Sequence, residues 1–142
     1  MTRGFTLIEI VVVVLLCGML VGVATPRLGR WMDRLAAEQA AAEIASFYQR
    51  ARFTAVFRST RVRLEFAEDS LRGVLEGVTD STFLVVPGPA HRGVRLEVSR
   101  AVIRIHPNGI GWGAANTKLV LRRGAAEETL TTSRLGRLKW WR

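Results

Sequence analysis

Phe5 to Ala24 reads FTLIEIVVVVLLCGMLVGVA, apolar on every side with one charge, Glu9. Its length matches the ~20 apolar residues that a membrane-crossing helix needs. Past Pro26 the apolar positions become periodic. Leu28, Trp31, Met32 and Leu35, then Ile44, Phe47, Tyr48, Ala51 and Ala55, fall near i, i+3, i+4 spacing. Ala36 to Ala45 is rich in strong helix formers. Pro26 removes a backbone donor, which predicts a kink or local loosening. The pattern therefore predicts one helix from Phe5 to about Arg58, its first half apolar all round and its second half amphipathic.

After Ser59 the period changes to two. Arg61 to Phe66 alternates strictly, as a half-buried strand does. Leu71 to Glu76 pairs with it across the turn Glu68-Asp69-Ser70. Thr82 to Val86, Val94 to Val98, Val102 to His106, Lys118 to Arg122, Glu128 to Thr132 and Arg137 to Trp141 complete the strand candidates. Pro107-Asn108-Gly109 marks a turn. A helix followed by antiparallel strands is an α+β arrangement. The pattern divides the chain into an apolar, membrane-length helix over 5–25, an amphipathic continuation over 26–58 and a β domain over 59–142.

Composition narrows the function classes. The 142 residues suffice for one domain, and 21 Lys+Arg against 12 Asp+Glu leave a net charge of +9. Such a surface favours anionic partners. Cys17 is the only cysteine, which excludes an internal disulfide, and it falls within the apolar helix as a buried, inert thiol. The two histidines, His91 and His106, leave little for a metal site. His91 reads as a solvated loop residue and His106 as part of a turn. Glu68-Asp69 and Glu127-Glu128 read as solvated turn carboxylates. Gly109, Gly111 and Gly113 form a glycine-rich turn without the Gly-Lys-Ser/Thr of a phosphate loop. No acid–histidine–nucleophile spacing stands out, so the expectation is a non-enzyme with no cofactor and no metal.

Three readings compete for the N-terminal segment. A secretory signal would have a basic start and an apolar core, but here the basic region is short and no small-x-small site precedes Thr25. A plain anchor suffices physically, with basic residues on both sides leaving its orientation unset. Neither gives Glu9 a purpose, and a carboxylate in a bilayer is costly unless paired or protonated. The third reading is a helix that packs against others and meets a positive group at Glu9.

Arg3-Gly4-Phe5-Thr6-Leu7-Ile8-Glu9 resembles the processing site of type IV pilins and type II secretion pseudopilins. The resemblance implies a leader over 1–4, cleavage by a prepilin peptidase between Gly4 and Phe5 and N-methylation of Phe5. It implies that Glu9 pairs with a neighbouring subunit's amine during assembly and that Pro26 is a helix-kinking proline. Ile105 to Gly109 and Thr132 to Arg137 are similar to the C-terminal half of the GspH/FimT family of minor pseudopilins and minor pilins. That implies a pilin-like fold, inner-membrane insertion with a periplasmic C-terminal domain, and partnership with other major and minor pilins. The leading expectation is a minor pseudopilin in the tip region of a type II secretion pseudopilus, supporting protein export.

The tail SRLGRLKWWR keeps an alternative open. Arg134, Arg137, Lys139 and Arg142 carry no acid between them and interleave with Trp140 and Trp141, a pattern suited to phosphates and bases. Gly136-Arg137-Leu138-Lys139 is similar to the Gly-Arg-x-Arg motif of FimT-like minor pilins, with lysine in the last place. The resemblance implies DNA binding during natural transformation at Arg134, Gly136, Arg137, Lys139 and Arg142. The competing reading is a terminal strand, with Leu135, Leu138 and a tryptophan facing inward and the bases facing solvent.

Overall fold

The computed structural model describes residues 6–113 and 115–141, without the side chains of 23–26. Helix α1 runs Leu7–Phe57. Nine strands follow: β1 Arg61–Phe66, β2 Ser70–Glu76, β3 Ser81–Pro87, β4 Arg95–Val98, β5 Val102–Ile105, β6 Gly111–Trp112, β7 Thr117–Arg123, β8 Ala126–Thr132 and β9 Leu138–Trp141. A 3-10 turn, Pro89–Arg92, links β3 to β4. The chain divides into two compact units, Met1–Met32 and Asp33–Arg142.

In the first unit the helix begins at Thr6, whose Oγ1 accepts from the Glu9 N–H at 3.4 Å while its carbonyl accepts the same N–H at 3.1 Å. Thr6-Leu7-Ile8-Glu9 is the Thr-x-x-Glu spacing of a capping box, and a carboxylate in the first turn also suits the helix dipole. Both are local reasons for Glu9 that the sequence pattern carried. The helix is long and apolar enough to cross a membrane, with a mean hydropathy of 2.8 over its most apolar window. Its apolar side chains, Cys17 among them, have no protein cover in the single chain.

The second unit is built on the amphipathic part of α1. Two antiparallel sheets, in the orders β3-β2-β1-β5-β6 and β4-β7-β8-β9, share one core with it. Ala40, Ala41, Ile44, Phe47, Tyr48, Ala51 and Ala55 supply the helix stripe. Val62, Leu64 and Phe66 from β1, with Ile103 and Ile105 from β5, meet it from the first sheet. Leu96, Leu119, Leu121 and Leu130 meet it from the second. Small alanines on the helix let the sheets approach, and Phe47 sets its edge against Phe66 at 5.9 Å between centroids.

The strand alternation converts directly into register. Val62 and Leu64 face Leu75 and Gly73 on one side and Ile105 and Ile103 on the other. Within the Gly109 to Gly113 segment, expected as a turn alone, Gly111 and Trp112 form β6 against Ile105 and Arg104. Glu128 is another departure: it is buried and accepts from Trp140 Nε1 at 2.6 Å. Leu121 lies opposite it in β7, so the β8 register turns Glu128 inward with Leu130 and Thr132.

Candidate functional site

Glu9 sits on α1 with Ile10, Val13 and Val14 around a shallow apolar hollow of about 220 Å³. Among the described residues no cation pairs with its carboxylate. Gly4 and Phe5 lie outside the described residues. The α1 backbone is helical through Pro26, whose side chain is outside the described ones.

The residues expected to form a basic tail divide between two places. Ser133 to Arg137 is a tight turn: the Gly136 N–H donates to the Ser133 carbonyl at 2.9 Å, and the Ser133 N–H to the Arg137 carbonyl at 2.8 Å. Gly136 takes a φ of 74°, open to glycine at little cost. A Cβ there would come within 2.5 Å of the Gly109 carbonyl oxygen and 2.9 Å of Arg52 Nε. Arg52 Nε in turn donates to that carbonyl at 3.0 Å. One guanidinium on α1 thus holds the Pro107-Asn108-Gly109 turn to the helix, and the 133–137 turn rests on both. The Gly111 N–H donates to the Arg134 carbonyl at 2.8 Å, tying this turn to β6. Arg134 and Arg137 are left exposed on it.

Lys139 lies elsewhere. On β9 it alternates outward with Trp141, its Nζ 3.3 Å from the indole centroid, and Trp141 Nε1 donates to Thr131 Oγ1 at 3.0 Å. Leu138 and Trp140 pack on the core, so the tail is a terminal strand as well as a basic segment. Leu135, expected inward, is exposed at the turn. Arg142 lies outside the described residues.

Two polar groupings were not read from the sequence, because their members are distant along the chain. On the first sheet Arg63 reaches Glu65 at 3.0 Å, Glu76 at 3.3 Å and Asp80 at 2.9 Å, while Arg104 reaches Glu76 at 2.7 Å. Hydrogen bonds to Asp80 and Glu65 push the Arg63 pKa up further. The second grouping joins α1 to the loops beside it. Arg123 Nε donates to Asp33 at 3.0 Å and its Nη1 to the Arg92 carbonyl. Arg92 donates to Gln39 and Glu43 on α1, and its hydrogen bond to Glu43 raises its pKa. Among the described residues no cluster of His, Cys, Asp and Glu has the makings of a metal site. His91 Nδ1 lies 2.6 Å from the Gly88 carbonyl, and the His106 ring meets Trp112 edge-on at 6.0 Å.

An apolar N-terminal helix continuing into the core of antiparallel sheets defines a pilin-like subunit. Residues 40–136 match the family described as "Type II transport protein GspH", and the chain belongs to that family. It is 30% identical to the pilin-like protein PilA1 of Thermus thermophilus, covering 96% of this chain and 97% of that protein. Its fold is that of the type IV minor pilin FimU of Pseudomonas aeruginosa. One crystal form of FimU matches with a TM-score of 0.62 at 14% identity, over 74% of this chain and 92% of FimU. A second matches with a TM-score of 0.67 at 14% identity, over 79% and 92%. Family and fold are those of structural, pilin-like proteins.

Proposed function

We propose that the protein is a minor pseudopilin of a type II secretion system, a structural subunit in the tip region of the pseudopilus that supports protein export. The observation that carries this reading is the union, in one chain, of an apolar helix with Glu9 in its first turn and a domain matching the GspH family. On this reading a prepilin peptidase cuts between Gly4 and Phe5 and methylates Phe5. The chain waits in the inner membrane with its second unit in the periplasm. Assembly exchanges lipid contacts for helix contacts with other pilins, and Glu9 meets the amine of a neighbour. Pro26 lets the helix bend where the apolar segment ends.

The test is mass and assembly in the native host. Gly4→Leu should leave the full precursor mass, and Glu9→Leu should insert in the membrane yet fail to join filaments with its partners. A normal mature mass from Gly4→Leu refutes the processing site, and unchanged incorporation of Glu9→Leu removes the pairing role.

One observation favours a second reading, a type IV pilus minor subunit that binds DNA: Arg134 and Arg137 are exposed together on one short turn. Gly136 would shape that turn, and Lys139 and Arg142 would extend the charge along the chain. Full-length protein in an uncharged detergent should then bind DNA with an affinity that falls as salt rises. Arg134→Ala with Arg137→Ala should abolish most of it. Binding indifferent to both arginines leaves the turn a structural element and the secretion reading standing alone.

A further inference from the structure

Near the end of α1 an apolar patch faces away from the core. Phe53, Val56 and Phe57 follow i, i+3, i+4 spacing and are 68%, 48% and 77% exposed. The two phenyl rings stack at 5.7 Å between centroids. Beside them Gln49, Arg52, Phe53 and Val56 line a recess of about 250 Å³. Ala51 and Ala55, on the other side of the same turns, are fully buried, so the helix carries a core stripe and a second apolar stripe. Contiguous exposed apolar surface of this kind marks a contact site.

The charge around it has one sign. Arg50, in the last turns of the helix, and Arg58, just past its end, are exposed, and Arg61 follows at the start of β1. No aspartate or glutamate occurs between Glu43 and Glu65, between Glu97 and Glu127, or after Glu128. The fold gathers these three acid-free stretches, because Arg52 and Val56 touch the Gly109 turn and the 133–137 turn rests on both Gly109 and Arg52. The carboxylate opposite Arg61 in the β1–β2 register, Glu76, is engaged by Arg63 and Arg104.

We propose that this end of α1 docks an acidic amphipathic segment of another protein. Its apolar side chains would fill the recess beside Phe53 and Val56, and its carboxylates would meet Arg50, Arg58 and Arg61. Charge decides against a second copy, since this chain carries +9 and would bring arginine against arginine. A nucleic acid strand would suit the arginines through its phosphates but brings no aliphatic side chain to fill the recess beside Phe53 and Val56. The Trp112 ring is already faced by the guanidinium groups of Arg61 at 5.2 Å and Arg104 at 5.6 Å. Aromatic anchors ringed by arginine are typical of protein interfaces. The proposal holds for a secretion pseudopilus or a pilus alike.

The test uses the full chain in uncharged detergent and a fluorescent peptide of alternating leucine and glutamate pairs, with signal from empty micelles subtracted. Wild type should bind this peptide at least about tenfold tighter than its glutamine counterpart. Phe53→Ser with Phe57→Ser, and separately Arg50→Glu with Arg58→Glu, should each weaken binding about tenfold or more. Arg95→Ala, on β4, should leave it unchanged. All four substituted side chains at the site are exposed, and unaltered circular dichroism and Tm would show that the variants fold. Equal affinity for both peptides, or no loss in the phenylalanine variant, overturns the proposal. So does self-association of wild type that the phenylalanine variant loses. Preferential binding of oligothymidylate or of phosphatidylglycerol vesicles through the same arginines also overturns it, in favour of a phosphate ligand.

Discussion

Replacing Gly136 with alanine would put a methyl group 2.5 Å from the Gly109 carbonyl oxygen, at a φ of 74°. Backbone oxygen yields little, and an L-residue is strained in that region, so Gly136→Ala should cost about 1–3 kcal/mol. The check is a lower Tm together with faster exchange of the Gly111 amide, which donates into the same turn. An unchanged Tm would mean that the turn relaxes without cost. The distinction bears on the basic tail, because a Gly136 variant that loses DNA binding would have lost its turn before any contact. A sequence string displays Gly-Arg as a motif. It does not display that the glycine is wedged between a helix arginine and another glycine's carbonyl.

At the scale of elements, strand alternation was enough to place eight of the nine strands within a residue or two. Arg61–Phe66 came out with its ends unchanged, since apolar and polar positions alternate without fault there. β6 was missed because two residues, Gly111 and Trp112, hold no period. Glu128 was misplaced because two adjacent glutamates look like a turn, whereas the strand sends one out and one in. The ion pairs between α1 and its neighbours were also illegible, their partners lying far apart along the chain. Asp33 and Arg123 are each about one-third exposed, so solvent screens the pair. A double-mutant cycle with Asp33→Ala and Arg123→Ala should give a coupling of about 0.5–1 kcal/mol. Additive effects within error would assign the pair no role in holding the helix to the second sheet.

For the molecule as a whole, the family was legible from the ends of the chain, and the two-sheet arrangement was not. The folded unit reports its own integrity through a single phenol. Tyr48 is the only tyrosine, and burial raises its pKa above the usual 10, opposed by a smaller pull from Arg52. Above about pH 10 the unfolded chain releases this proton while the folded one holds it, so stability should fall as pH rises past that point and be unaffected by Tyr48 below it. Urea unfolding between pH 8 and pH 11 would show the decline, and Tyr48→Phe should flatten it. An equal decline in that variant would shift the cause to other groups.

The link between β2 and β3 has a practical consequence. Gly77, Val78 and Thr79 are all exposed there, while Asp80, next along, is held by Arg63. Epitope tags are customarily fused to a terminus. On the proposed reading processing removes the first four residues, and the last described residue, Trp141, ends β9, an edge strand with one neighbour. A short tag inserted between Val78 and Thr79 would instead ride on a hairpin tip remote from the core. On the proposed reading it would let the protein be followed from membrane to filament with no residues added at either end.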